Sequence, residues 1–152
     1  MTKLKILSFL WILSFLGCDK PISDIPTIRF VNNSRSVMVQ NGQDSTFVKF
    51  EFEDGDGDIG SDLQDNIFVK DARNGQIIAQ RRLPNYTNNP IYKKGEITLV
   101  IYAPCCIYPN GTACTPNTTV LQNKTKFILQ IQDNAGNYSN EISTPEITLD
   151  CL

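Results

Sequence analysis

The sequence predicts an all-β fold: an immunoglobulin-like antiparallel β-sandwich of about seven strands, preceded by an N-terminal segment that is not part of it. Three observations predict this. Apolar residues recur with a period of two. Clusters of Asn, Asp, Gly and Pro punctuate the apolar runs at short intervals. No stretch of ten or more residues behind the N-terminal segment carries the 3.6-residue spacing of an amphipathic helix.

The first alternating run is Thr27-Ile28-Arg29-Phe30-Val31, with a weaker one at Val37-Met38-Val39; together they place a first strand within 27–40. Phe47 to Phe52 alternates with Phe50 and Phe52 on one face, giving a strand over 46–52. Ile67-Phe68-Val69-Lys70 is short and apolar and predicts a strand over 66–71. Asn74-Gly75 follows as a two-residue hairpin signal, with a return strand over 76–82. Ile97 to Tyr102 and Phe127 to Ile131 are rich in β-branched and aromatic residues, and predict strands over 96–102 and 125–132. The last strand, 139–149, is interrupted at Pro145, which has no N–H for a ladder. If successive strands alternate in direction, the loops at 53–65 and 133–138 meet at one pole. The loop at 103–124 and the C-terminus then meet at the other.

The first 17 residues read as an address. Lys3 and Lys5 give a positive start, and Ile6 to Leu16 is an uncharged apolar run of 11 residues. A bilayer-spanning helix needs about 20, whereas a signal-peptide core is of this length. Phe15-Leu16-Gly17-Cys18 resembles the bacterial lipobox, in which a small residue precedes an invariant Cys; Phe15 stands where that pattern usually has Leu. The resemblance implies diacylglyceryl modification of Cys18, cleavage after Gly17 and palmitate-type acyl chains as the membrane anchor, two or three chains holding firmly where one is marginal. The domain boundaries follow: signal peptide 1–17, a mobile tether 18–26 containing Pro21 and Pro26, and a β-sandwich domain 27–152.

The chain holds 14 basic and 16 acidic residues. Lys3 and Lys5 leave with the signal, so the remainder has 12 against 16, a net charge of −4. That balance argues against a nucleic-acid partner, which needs a clustered basic face. Histidine is absent, which removes the commonest general base and the usual zinc ligand.

Chemistry concentrates in the run Glu53 to Asp62, where Asp54, Asp56 and Asp58 alternate with Gly. Like charges this close call for a cation. Calcium suits them, because it takes six to eight oxygen ligands. The spacing begins like an EF-hand and even meets Asp65 at its twelfth position. However, Ile59 stands where that loop needs Gly, and no helices flank it. The predicted topology adds Asp133 from the opposite loop. Asp54, Asp56, Asp58 and Asp133 are therefore the expected ligands of a structural calcium, and ordinary polar turns are the competing reading. No residue is assigned a catalytic role.

Four cysteines follow Cys18: Cys105, Cys106, Cys114 and Cys151. Export places them in an oxidising compartment, where an even number implies two disulfides. Adjacent Cys105 and Cys106 face opposite ways in an extended segment. One should pair with Cys114 and one with Cys151; either assignment fits. Tyr86, Tyr92, Tyr108 and Tyr138 sit in or beside loops, where tyrosine either covers a sheet edge or stacks on a partner.

Phe50 to Gly60, Pro104-Cys105-Cys106-Ile107-Tyr108 and Gln132 to Asn140 together resemble segments of a family of small Bacteroidetes lipoproteins, which read F-x-D-G-D-G-D-[IL]-G after a strand. The resemblance covers most of 46–151. It implies an immunoglobulin-like lipoprotein of the cell surface or periplasm and carries no activity. The expectation is then a non-enzymatic, lipid-anchored accessory, adhesion or binding module at the outer membrane or cell surface, with an envelope protein or glycan as partner. Two rivals are a carbohydrate-capturing lipoprotein and a hydrolase using Asp54, Asp56, Asp58 or Asp133.

Overall fold

The alternation seen in the sequence translates directly into strands with one buried face. The computed structural model describes residues 22–84, 93–115 and 119–151. Residues 1–17, expected to be a signal peptide, and Cys18, Tyr86 and Tyr92 lie outside the described residues. The elements are β1 (Thr27–Asn33), β2 (Val37–Val39), β3 (Ser45–Glu53), β4 (Ile67–Asp71), β5 (Ile77–Arg81), β6 (Lys94–Tyr102), β7 (Gln122–Thr125), β8 (Phe127–Ile131), β9 (Ile142–Ser143) and β10 (Ile147–Asp150).

One layer is the antiparallel sheet β1-β3-β6. The other consists of β5-β4-β8-β9 and β2-β10-β7, with β2 parallel to β10. These two sheets share strands of one chain course: β7 and β8 are separated by Lys126 alone, and β9 and β10 by Thr144-Pro145-Glu146. The break sits where Pro145 cannot donate. Thr144 bridges it, donating its N–H to the Phe127 carbonyl at 3.0 Å and accepting the Phe127 N–H on its hydroxyl at 3.0 Å. The described strands exceed the expected seven because 27–40 divides into β1 and β2, and because the last two predicted strands divide at this same break.

Among the described residues, one apolar cluster joins the layers. Val48, Phe50, Leu99 and Ile101 contribute from the first, and Val69, Phe127, Leu129, Ile131, Ile147 and Leu149 from the second. Burying a side chain of this size stabilises by about 1.5–3 kcal/mol, so this seam dominates the fold's stability. Asn140 ties the layers at their edge. Its Oδ1 accepts the Ile28 N–H at 2.8 Å, and its Nδ2 donates to the Ile28 carbonyl at 2.9 Å.

Three local expectations are corrected. The β4–β5 connection is a five-residue loop, Ala72 to Gln76, and not a two-residue turn at Asn74-Gly75. Only Gly75 takes positive φ, at 71°, while Asp71 N–H donates to the Gln76 carbonyl across the base. The primed two-residue turn would need positive φ at both positions. Tyr108 is not a surface residue: it is 7% exposed and part of the core. Finally, Ile22–Pro26 do not extend away as a tether. Pro26 is buried, and Ser23 is hydrogen-bonded to the loop after β3.

Candidate metal centre

Strand β3 ends at Glu53, and the chain turns at once into Asp54-Gly55-Asp56-Gly57-Asp58. Asp54 N–H donates to the Lys93 carbonyl and Gly55 N–H to the Ser23 carbonyl, both at 2.8 Å. The two glycines answer different needs. Gly57 has φ +80°, a conformation side chains disfavour. Gly55 lies under the N-terminal segment, where a Cβ would stand 2.6 Å from the Ile22 carbonyl oxygen and 2.8 Å from Asp24 Oδ1. Ile59 plugs into the core, which accounts for an apolar residue where an EF-hand has Gly. Asn66 holds the loop's far side: its Nδ2 donates to the Ile59 carbonyl, and its Oδ1 accepts the Leu83 N–H at 2.8 Å.

The second half of the site comes from the other layer, after β8. Asp133 is held in a local turn. It accepts the Asn137 N–H on Oδ1 at 2.7 Å and the Asn137 Nδ2 on Oδ2 at 2.9 Å. Asn134 reaches across to the acidic loop, donating its N–H to the Asp58 carbonyl at 3.2 Å and its Nδ2 to the Gly60 carbonyl.

Asp54, Asp58 and Asp133 consequently each bring a carboxylate oxygen within 4.8 Å of the others. Asp54 is fully buried and Asp133 is 2% exposed. Both oxygens of Asp54 and Oδ1 of Asp58 are buried without a hydrogen-bond partner. Burial pushes the Asp54 carboxyl up to about 7, and the charges of Asp56, Asp58 and Asp133 push it the same way. Asp58 is also raised, first by burial and then by Asp133 and Asp56, while the backbone N–H groups of Ala135 and Asn134 oppose the rise. Asp56 itself is exposed and stands outside the three-oxygen group.

A buried carboxylate without a donor is strongly unfavourable unless neutralised. A cation removes the penalty for all three groups at once. Oxygens bound to one calcium at roughly 2.4 Å can be no more than about 4.8 Å apart, so the observed spread admits a shared ion. The donors are all oxygen, which suits a hard cation and not zinc or copper.

The predicted disulfide residues gather at the opposite pole. Cys105 pairs with Cys114 and Cys106 with Cys151, with Cα–Cα distances of 4.6 Å and 5.8 Å. Gln40 clamps the second bridge: its Oε1 accepts the Cys106 N–H at 3.0 Å and its Nε2 donates to the Cys151 carbonyl at 2.7 Å. Beside it, buried Asp71 accepts a fork of bonds from Arg73 and one from the Thr125 hydroxyl at 2.7 Å, and Arg73 also donates to the Cys105 carbonyl at 2.9 Å. Burial works to raise the Asp71 carboxyl, but these donors outweigh it and hold the group below its usual value.

Sequence reasoning did not find the supporting asparagines: Asn66 fell at the start of a predicted strand, and Asn134 and Asn137 read only as turn residues. Nor did it find the Asp71–Arg73 pair, which local spacing does not distinguish from a surface hairpin. No protein-family model matches this chain, and no curated protein is similar to it.

Proposed function

We propose that this chain is a non-catalytic, lipid-anchored module of the bacterial cell envelope, an immunoglobulin-like sandwich stapled by calcium at one pole and by two disulfides at the other. The observation that carries the calcium assignment is the buried Asp54 carboxylate, without a partner, facing Asp58 and Asp133. The parallel contact of β2 with β10 and the pairing of β4 with β8 favour the immunoglobulin-like connectivity. The lipobox-like Gly17-Cys18 supports the anchor, at the outer membrane or cell surface of a Bacteroidetes cell. A rigid domain held on a short leash suits an accessory, adhesion or binding role toward an envelope protein. Burial of Asp54 and Asp133 weighs against hydrolysis, because neither carboxylate can meet a substrate.

Thermal melting of the mature domain tests the metal. Calcium at 100 times its dissociation constant should stabilise by about 2.7 kcal/mol, which for a domain of this size is a rise of about 10 °C over the chelated protein. A rise of only about 1 °C would overturn the assignment. Loss of radiolabelled palmitate incorporation in Cys18→Ser tests the anchor.

A second reading, glycan capture beside the ion, draws on Tyr138. It is 51% exposed on the loop that carries Asp133, and its ring lies 6.0 Å from that of Phe68. A glycan array probed with and without chelator separates the two readings.

A further inference from the structure

The acidic loop holds more than its carboxylates: it is also the dock for the N-terminal segment. Gly55 sits between Asp54 and Asp56, and its N–H is the donor to the Ser23 carbonyl at 2.8 Å. The backbone of Ile22 and Ser23 lies so close over Gly55 that no Cβ would fit beneath it. The same contact brings Asp24 Oδ1 beside Gly55, adding a carboxylate to a loop that already holds Asp54, Asp56 and Asp58. Without a cation, the mutual repulsion of Asp54, Asp56, Asp58 and Asp133 acts on the loop that carries this contact. With a divalent cation, two of the cluster's negative charges are offset and the loop backbone is fixed, so Gly55 presents its N–H and its bare surface to the segment. One peptide separates the candidate ligand from the docking contact.

We infer that ion occupancy at Asp54, Asp58 and Asp133 controls docking of the strap Ile22–Asp24, and that calcium thereby sets how tightly the domain is held to its N-terminal attachment. The inference rests on the calcium reading above and adds a consequence to it. Docking and ion binding share one loop, so they must assist each other by the same factor.

The test uses the mature chain carrying Cys18→Ser, with calcium as the probe, at a temperature where the domain is folded with and without the ion. Backbone order parameters from nitrogen-15 relaxation should be about 0.85 for Ser23 and Asp24 with calcium. They should fall below about 0.6 in chelator, while Phe50 and Leu129 stay near 0.85. By reciprocity, Gly55→Ala, which wedges the strap off, should weaken calcium binding by roughly 5-fold or more in calorimetry. A chain starting at Ile25, with the loop sequence intact, should lose a similar factor. If calcium raises the melting temperature but the strap stays ordered in chelator, the coupling is overturned and the ion site stands. Unchanged calcium affinity in the chain starting at Ile25 likewise overturns the coupling alone. If neither the melting temperature nor the strap responds to calcium, the site reading fails and this inference with it.

Discussion

Asp133 presents its carboxylate to Asp54 from the opposite layer of the sandwich, with oxygens of the two residues within 4.8 Å. Asp54 follows β3 in one sheet and Asp133 follows β8 in the other. A cation held between them would join the layers where the apolar seam ends. Ion binding should therefore act on the global stability of the domain as well as on a surface loop.

Replacing Asp54 with Asn separates the ion from the fold. The calcium-induced rise in melting temperature should collapse from about 10 °C to a few degrees. The chelated variant should melt no lower than chelated wild type, because one charge has left a mutually repelling cluster. Differential scanning calorimetry in both conditions reads this directly. A variant that melts far lower in chelator would show that the carboxylate supports the fold without a metal.

The pH dependence follows from the same residue. Asp54 binds its proton more tightly in the folded chain, near 7, than in the unfolded one, at 3.8. The folded state therefore holds more protons between these values, and chelated protein should lose stability as pH rises from about 4 to about 7. Asp71 acts in the opposite sense. Its carboxyl is lowered, so its contribution is complete above 3.8 and fades as pH falls below it. The chelated domain should be most stable on the acidic side of neutrality, and saturating calcium should flatten the fall toward pH 7. Urea melts across pH in chelator and in calcium measure both trends.

The two bridges should differ in strength. Cys106–Cys151 closes a separation of 45 residues and Cys105–Cys114 one of 9. In the chain-entropy model these are worth about 4 and about 2.5 kcal/mol. The double substitution Cys106→Ala with Cys151→Ala should therefore destabilise more than Cys105→Ala with Cys114→Ala, as read by denaturant midpoints. Burial of Cys106 and Cys151 widens the gap, because their loss also disturbs the core.

Arg73→Met should cost about 3–5 kcal/mol, since it leaves Asp71 buried and unpaired. The exposed pairs behave otherwise. Lys49–Glu96, at 2.9 Å on the outer face of the first sheet, should change stability by less than about 1 kcal/mol when broken. Equilibrium unfolding of the two variants distinguishes a buried pair from a solvated one.

Strand identity was readable because burial imposes period two. The alternation of Phe50 and Phe52, of Leu99 and Ile101, and of Phe127, Leu129 and Ile131 marks their shared face directly in the sequence. The convergence of Asp54 with Asp133 was readable at one remove, through strand direction. Two features were not readable. Asp54 and Asp56 look alike in an Asp-Gly repeat, yet one is buried and the other exposed; only the three-dimensional path of the loop separates them. The docking of Ile22–Asp24 on Gly55 was equally hidden, because a residue without a side chain advertises a close neighbour and a sharp turn with the same letter.

Asn140 has a consequence beyond joining two sheets. Its carboxamide occupies both the N–H and the carbonyl of Ile28, much as a neighbouring strand would. Those peptide groups are thereby closed to a strand from another molecule. A single amide side chain guards that stretch of the sandwich's open rim against edge-to-edge polymerisation.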